Sequence, residues 1–401
     1  MMENKNIALF VTGGIAAYKV PLLVRGLIKS GHTVRVAMTQ AATHFVTPDT
    51  LAILTKHPVL TDGSEFTAPE HVAHVELAKW ADIAVVVPAT ANTIAKMANG
   101  IADNVVSTTL LTFHGPLFVV PAMNDQMWAN PATQHNLTTL TAFGVHILQP
   151  ATGFLAEGYV GKGRMPEPDI IQRFIEATPE HPFLAGRHVL ISAGGTRERL
   201  DPVRYLTNDS SGKMGTALAN VALAAGAQVT LVTTAHQPVL PGIDVVAVSS
   251  AAEMADAMTA HYADADIVVM AAAVADFRPQ AVADNKIKKQ DSEMQLTLQL
   301  EQNPDILAQL GAAKTHQFLV GFAAETQDLL HYATQKLHKK HADMIVANQV
   351  GQATTGFNAE TNAVTLLRPD QEPQPLELAT KTAIAAQILM MIEQELEARG
   401  D

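Results

Sequence analysis

Between His188 and Ala225 the chain reads as strand, glycine turn, polar loop and helix start. His188-Val-Leu-Ile-Ser-Ala runs into AGGTRE at Ala193–Glu198, then DPVRYLTNDSSGKMG at Asp201–Gly215, then an Ala-rich helical pattern at Thr216–Ala225. In α/β proteins this order brings backbone amides to a helix N-terminus, where phosphates are held. The loop adds an amide, Asn208, and a cation, Lys213. A similar opening stands near the start, where strand Ile7–Val11 enters TGGIAAYK at Thr12–Lys19. The chain is therefore constrained to two anion-holding α/β units.

The rest of the chain accommodates both. Its 401 residues suffice for two or three domains, each with its own core. In the first half Ala17–Ser30, Ala91–Asn99 and Ala102–Leu111 read as helices, and Thr33–Met38, Ala84–Pro88 and Leu117–Val120 as strands. That is a doubly wound α/β domain. After a Pro- and Gly-rich stretch, Ile170–Thr178 closes it as a helix, and Pro179-Glu-His-Pro182 is the linker candidate. We place the domains at 1–184 and 185–401. In the second half Val229–Thr233, Asp266–Ala272, Phe318–Phe322 and Met344–Ala347 are expected strands, and Ala251–Tyr262 and Thr380–Arg399 helices. Ala283–Leu300 reads as an excursion hairpin, because Gln295–Leu300 alternates with period two.

Composition narrows the function classes. A hydrophobic fraction of 48% with 16% charged residues suits buried parallel strands. A net charge of −12 disfavours nucleic-acid binding, so anionic substrates need local basic clusters. The absence of cysteine removes disulfides, thiolate metal sites and a cysteine nucleophile. No signal-peptide pattern and no apolar run of membrane-spanning length stand out, so a cytoplasmic location with no membrane partner is expected.

In the first half, Gly13 and Gly14 permit a tight turn and close phosphate approach. Thr39 ends the second strand, and Pro88-Ala-Thr-Ala-Asn92 ends the next, both at carboxyl edges. Together with Gly100-Ile-Ala-Asp-Asn104, His74-Val-Glu-Leu-Ala-Lys-Trp-Ala-Asp82 and Pro121-Ala-Met-Asn124, this pattern resembles the flavin-containing cysteine decarboxylases. The resemblance implies a flavodoxin-like sheet with FMN held by Thr12, Gly13, Gly14, Ile15, Thr39, Pro88, Ala89, Thr90 and Asn92. It implies that His74 is the base or thiol-orienting group, and that Asn124 binds the substrate's carboxylate and amide. His71 and His74 could instead suggest a metal pair, but no third ligand stands at useful spacing. A flavin suits the chemistry: an acylated cysteine has no electron sink of its own, and oxidising its CH2–SH unit creates one.

Gly153-Phe-Leu-Ala-Glu-Gly-Tyr-Val-Gly-Lys-Gly-Arg-Met165 is similar to the family's substrate clamp, with Lys162 and Arg164 suited to an anionic substrate. Where members of the family carry an acid cysteine, this chain has Glu157. We expect Glu157 to supply that proton once the clamp closes; a solvated glutamate is the competing reading.

The second half resembles the phosphopantothenate–cysteine ligase domain fused behind such decarboxylases in bacteria. The matching pieces are AGGTRE, DPVRYLTNDSSGKMG, Ala271–Asp276, Lys286–Lys289, Asn303–Ile306, Gly321–Thr326 and Ala347-Asn348. The resemblance implies a Rossmann-like domain that binds CTP and magnesium (Mg2+) and acts on 4′-phosphopantothenate and cysteine. It implies Lys286 for forming the acyl–nucleotide, Asn208 and Lys213 on the substrate, and Ala271, Ala272, Asp276, Asn303, Pro304, Asp305, Ile306, Phe322, Lys336 and Lys340 around the nucleotide. A solvated charge run is the competing reading for Lys286, and a helix cap for Asp276. No metal ligand is identified. By family analogy the chain is a homo-oligomer, a dodecamer built from trimer and dimer contacts. A non-catalytic flavin-binding scaffold and a pyridine-nucleotide oxidoreductase are the rival functions. Neither half has a G-x-G-x-x-G opening, which weakens the second rival.

Overall fold

The computed structural model describes residues 4–65, 71–179, 182–288, 296–325, 328–349 and 359–400. The chain divides into two compact units, Met2–Glu176 and Ala177–Asp401.

In the first unit β1 (Asn6–Val11), β2 (Thr33–Met38), β3 (Ile83–Ala89), β4 (Leu117–Pro121) and β5 (His146–Ile147) form one sheet in the order β2-β1-β3-β4-β5. Every pairing is parallel. Ile83-Ala-Val-Val-Val-Pro-Ala89 is buried along its whole length, as a strand covered on both faces must be. This is the flavodoxin-like order, whose ligand edge lies where β1 and β3 diverge. The helix Val20–Lys29 buries Val20, Leu23, Val24 and Leu27, an i, i+3, i+4, i+7 stripe.

Two helices start later than the sequence suggests. A 3-10 turn, Ile15–Lys19, precedes the first α-helix. Pro21, which lacks an N–H, sits in the first helical turn and fixes the true start. Asn104 and Ser107 form a capping box, so the expected helix from Ala102 begins at Val105. The clamp segment is an antiparallel hairpin, β6 (Ala151–Phe154) with β7 (Val160–Arg164).

The second unit contains β8 (His188–Ala193), β9 (Arg197–Arg199), β10 (Tyr205–Thr207), β11 (Gln228–Thr233), β12 (Asp244–Ala247), β13 (Ile267–Met270), β14 (Phe277–Pro279), β15 (Leu300–Gln302), β16 (Phe318–Glu325), β17 (Met344–Gln349), β18 (Thr361–Leu367) and β19 (Gln374–Thr380). The main sheet runs β12-β11-β8-β13-β16-β17-β18-β19. Its first six strands are parallel, in the 3-2-1-4-5-6 order of dinucleotide-binding folds. β18 and β19 extend it antiparallel. A Cβ on Gly215 would meet Ser192 O at 2.9 Å, so glycine lets the helix Lys213–Ala224 lie directly on β8.

The excursion hairpin differs from expectation. Its paired strands are β14 and β15. Of the alternating stretch Gln295–Leu300, only Leu300 belongs to a strand among the described residues. Exposed Leu296 and Leu298 show that the alternation buries neither side chain. Lys289 and Thr326 of the quoted motifs lie outside the described residues. No described helix is long and apolar enough to cross a membrane.

Candidate active sites

At the first sheet's carboxyl edge, Thr12 ties β1 to β3. Its hydroxyl donates to Pro88 O (2.5 Å) and accepts from Thr90 N (3.1 Å). The Val87–Pro88 peptide is cis. Thr90 caps the helix Ala91–Ala98, which carries Asn92, and Thr39 caps the next turn by accepting from Ala42 N. A Cβ on Gly14 would lie 3.6 Å from Pro88 Cγ, and exposed Ile15 follows it. Bare backbone at Gly14, the caps Thr39 and Thr90, and Ala89 on β3 thus ring the divergence of β1 and β3. Such an uncrowded edge, rich in hydroxyls and amides, fits a flavin phosphate and ring.

Asn124 follows β4, beside that edge: Ala122 N donates to Ala89 O (3.1 Å). Asn124 Oδ1 accepts from Gln126 N (2.9 Å), which leaves Nδ2 to donate to Glu157 Oε1 (2.9 Å) and Tyr159 Oη (2.8 Å). Tyr159 Oη donates to Asp125 Oδ1 (2.6 Å). That bond raises the Tyr159 pKa and lowers that of Asp125. Glu157 and Tyr159 sit on the turn between β6 and β7, and the hairpin is docked by backbone. Met123 N donates to Gly163 O (3.0 Å), and a Cβ on Gly163 would fall 2.1 Å from Met123 O. Lys162 donates to Gln149 (3.0 Å) and Arg164 to Glu167 (2.8 Å).

His74, in the first turn of the helix Ala73–Trp80, bonds through Nδ1 to Glu65 Oε1 at 2.5 Å. His71 pairs separately with Glu76 (2.8 Å). Among the described residues no group of three or more His, Asp or Glu could hold a metal.

In the second unit a cavity of about 730 Å³ opens at the carboxyl ends of β13, β16 and β17. It gathers Asn208, Lys213, Ala271, Ala272, Asp276, Asn303, Pro304, Asp305, Ile306, Phe322, Lys336 and Lys340 from distant segments. Asn208 Nδ2 donates to Val274 O (3.1 Å) and Ala273 O (3.3 Å). Buried Asn303 donates to Ala275 O (2.8 Å), and its Oδ1 has no partner. Lys336 donates to Phe322 O (2.7 Å), and Lys340 pairs with Asp305. Burial pushes the Asp305 carboxyl up, but the Lys340 ammonium and the Ala308 amide outweigh it and leave it below the ordinary value. Asp276 is exposed and leads into β14, so it caps no helix.

Lys286 does not line this cavity. It is exposed on the segment before Ile287, whose backbone is held from both sides. Ile287 N donates to Asp201 Oδ2 (3.1 Å), and Arg204 donates to Ile287 O (2.5 Å) and to Asp201 (2.6 Å).

Comparison with known proteins places these units. The family profile described as Flavoprotein matches residues 1–179. The profile for the DNA/pantothenate metabolism flavoprotein C-terminal domain matches residues 184–396. The coenzyme A biosynthesis bifunctional protein CoaBC of Bacillus subtilis (strain 168) is 45% identical over 408 residues, covering 100% of both chains. The chain belongs to this bifunctional CoaBC family.

The CoaBC of Escherichia coli (strain K12) is 45% identical over 92% of each chain. A crystal structure of a CoaBC C-terminal domain is 43% identical, covers 54% of this chain and 99% of its own, and aligns with a TM-score of 0.47. As a family member the chain is a bifunctional enzyme of coenzyme A biosynthesis, with a flavoprotein decarboxylase half and a ligase half.

Sequence reasoning missed Glu65, Asp125 and Tyr159, together with Asn362 and Lys381 of the cavity lining; Asn348 was quoted only within a matching motif. Tyr159 was the most accessible of these, because it shares a hairpin turn with Glu157. Glu65 precedes His74 by nine residues in a stretch of sequence with no periodic signal.

Proposed function

We propose that the second unit joins cysteine to 4′-phosphopantothenate using CTP, and that the first unit decarboxylates the resulting 4′-phospho-N-pantothenoylcysteine to 4′-phosphopantetheine with FMN. The observation that carries this reading is convergence. Asn208, the Ala271–Asp276 loop and the Asn303–Ile306 turn meet in one cavity at the carboxyl edge of a dinucleotide-type sheet.

In the ligase step a carboxylate oxygen of 4′-phosphopantothenate bonds to the α-phosphorus, and the bond to the β-phosphate oxygen breaks, releasing pyrophosphate. The cysteine amine then bonds to the acyl carbon and CMP leaves. Asn208 orients the acyl group, and Lys286, which stands outside the cavity lining in this structure, would have to swing in with its segment to offset the charge that develops on the α-phosphate; a bound magnesium ion would neutralise phosphate charge. Ala271, Ala272, Asp276, Phe322 and the Asn303–Ile306 turn hold the nucleoside, with Lys336 and Lys340 beside it.

In the decarboxylase half, Thr12–Ile15, Thr39, Pro88–Thr90 and Asn92 would hold FMN, which would supply the two-electron redox chemistry at the substrate's CH2–SH carbon. His74, held by Glu65, takes the thiol proton. Asn124 orients the carboxylate, which departs as CO2 and leaves its bonding electrons in the enethiolate, Glu157 gives a proton to the carbon that lost it, and Lys162 and Arg164 close over the anionic end. Assembly into a dodecamer completes the proposal.

The test is direct. Purified protein is expected to be yellow, to release FMN on denaturation, and to release pyrophosphate from CTP only when 4′-phosphopantothenate is present. A colourless protein unable to bind FMN, or one that releases no pyrophosphate, contradicts the corresponding half.

A further inference from the structure

One wall of the ligase cavity is formed by residues of which only Lys213 has a role above. Lys381 is the first residue of the helix Lys381–Arg399, only 6% exposed, and it lines the cavity together with Lys213, Asn348 and Asn362. Lys213 likewise opens its own helix, Lys213–Ala224, and the two helices pack against each other. Two lysines therefore stand at two adjacent helix N-termini, where the helix dipole already presents positive charge. Burial pushes the Lys381 pKa down, the neighbouring Lys213 pushes it the same way, and Glu360 opposes them in part. Glu360 pairs with Lys213 and is itself largely exposed.

Desolvation, like-charge repulsion and the two dipoles all disfavour a cation here in the protein alone. A polyanion in the cavity reverses the two electrostatic effects and compensates the first. A second observation points to a ligand at the same wall. Asn348, 9% exposed, has its buried Oδ1 without a partner. The two ends of its amide exchange by rotation, so either a donor or an acceptor of a ligand can complete it.

We propose that Lys381 and Lys213, flanked by Asn348 and Asn362, form the subsite for the last two phosphates of the nucleotide, the pair that departs as pyrophosphate. The inference rests on the CTP-dependent ligase reading and adds to it a residue from the last helix. Bond breaking at the α-phosphorus leaves the bridging oxygen's electron pair on the departing pyrophosphate. Lys381 and Lys213 offset that added charge, and Glu360 gives up Lys213 to it.

The test compares Lys381→Met with Lys381→Arg in the full-length protein, measuring KM for CTP and inhibition by inorganic pyrophosphate and by CMP. Lys381→Met should raise the CTP KM and the pyrophosphate inhibition constant by about tenfold or more, as expected for loss of one desolvated charge contact. CMP inhibition and the cysteine KM should stay within about twofold, because neither molecule reaches this wall. Lys381→Arg should recover most of the loss. A misfolded fraction lowers kcat alone and moves none of these constants. Unchanged CTP and pyrophosphate constants in Lys381→Met, beside a wild type that releases pyrophosphate from CTP, overturn the inference alone. A wild type that releases none removes the ligase reading itself.

Discussion

Glu157 is the residue at which this chain departs from the flavin-decarboxylase pattern, and its surroundings give the departure a use. Its carboxylate accepts from the same Asn124 amide proposed to orient the substrate. The exposed Glu157 side chain is thus tethered to the residue proposed to orient the substrate. Glu157→Gln keeps the shape and removes the proton, so the dehydrogenated enethiol should accumulate at the expense of the saturated thiol, read by mass spectrometry. Full turnover to the saturated thiol would show that another group supplies the proton. Glu65 acts one step back, on His74. A carboxylate on Nδ1 fixes one tautomer and leaves Nε2 as acceptor. Glu65→Gln should lower decarboxylation by about a hundredfold with the ligase rate unchanged, a loss typical of a mispositioned base; an unaffected decarboxylase would make the pair structural only.

At the scale of elements, the segment that carries Lys286 is tied through the Ile287 backbone to the Asp201–Arg204 ion pair. Asp201 is fully buried, and burial by itself would raise its pKa. The amides of Val203 and Ile287 and the Arg204 guanidinium together hold it well below its ordinary 3.8 instead. A depressed carboxylate stabilises the fold above its unfolded pKa and loses that contribution as pH falls through the folded one. The ligase unit should therefore melt at falling temperature once the pH drops below about 4, and Asp201→Asn should flatten that acid limb while lowering stability at neutral pH. An acid limb unchanged in Asp201→Asn would refute the clasp.

Elements were legible where the pattern was local. β2, β8 and the helix Ala251–Tyr262 stand where their apolar runs and caps predict. Pro21 and the Asn104 cap were visible in the sequence but were overridden there by helical periodicity. β18 and β19 were missed because they only extend a sheet edge that already existed, and half-buried antiparallel strands carry a weaker signal than buried parallel ones. The site showed the same division. Asn208, Asn303 and the Ala271–Asp276 loop could be read from motifs. Glu65, Tyr159 and Lys381 become functional neighbours only through long-range packing.

For the whole molecule, a net charge of −12 stands against the anionic substrates proposed above. The reconciliation is local: Lys213, Lys336, Lys340 and Lys381 all face one cavity, while most of the acidic excess lies elsewhere. The two units make consecutive chemistry in one chain, since the ligase product is the decarboxylase substrate. The central claim is that one polypeptide performs both steps without any cysteine. We would incubate the purified protein with magnesium, CTP, cysteine and 4′-phosphopantothenate and follow products by mass spectrometry. The account predicts 4′-phosphopantetheine, with the acylcysteine passing through as a transient. An acylcysteine that accumulates without further conversion, or no product at all, would contradict it.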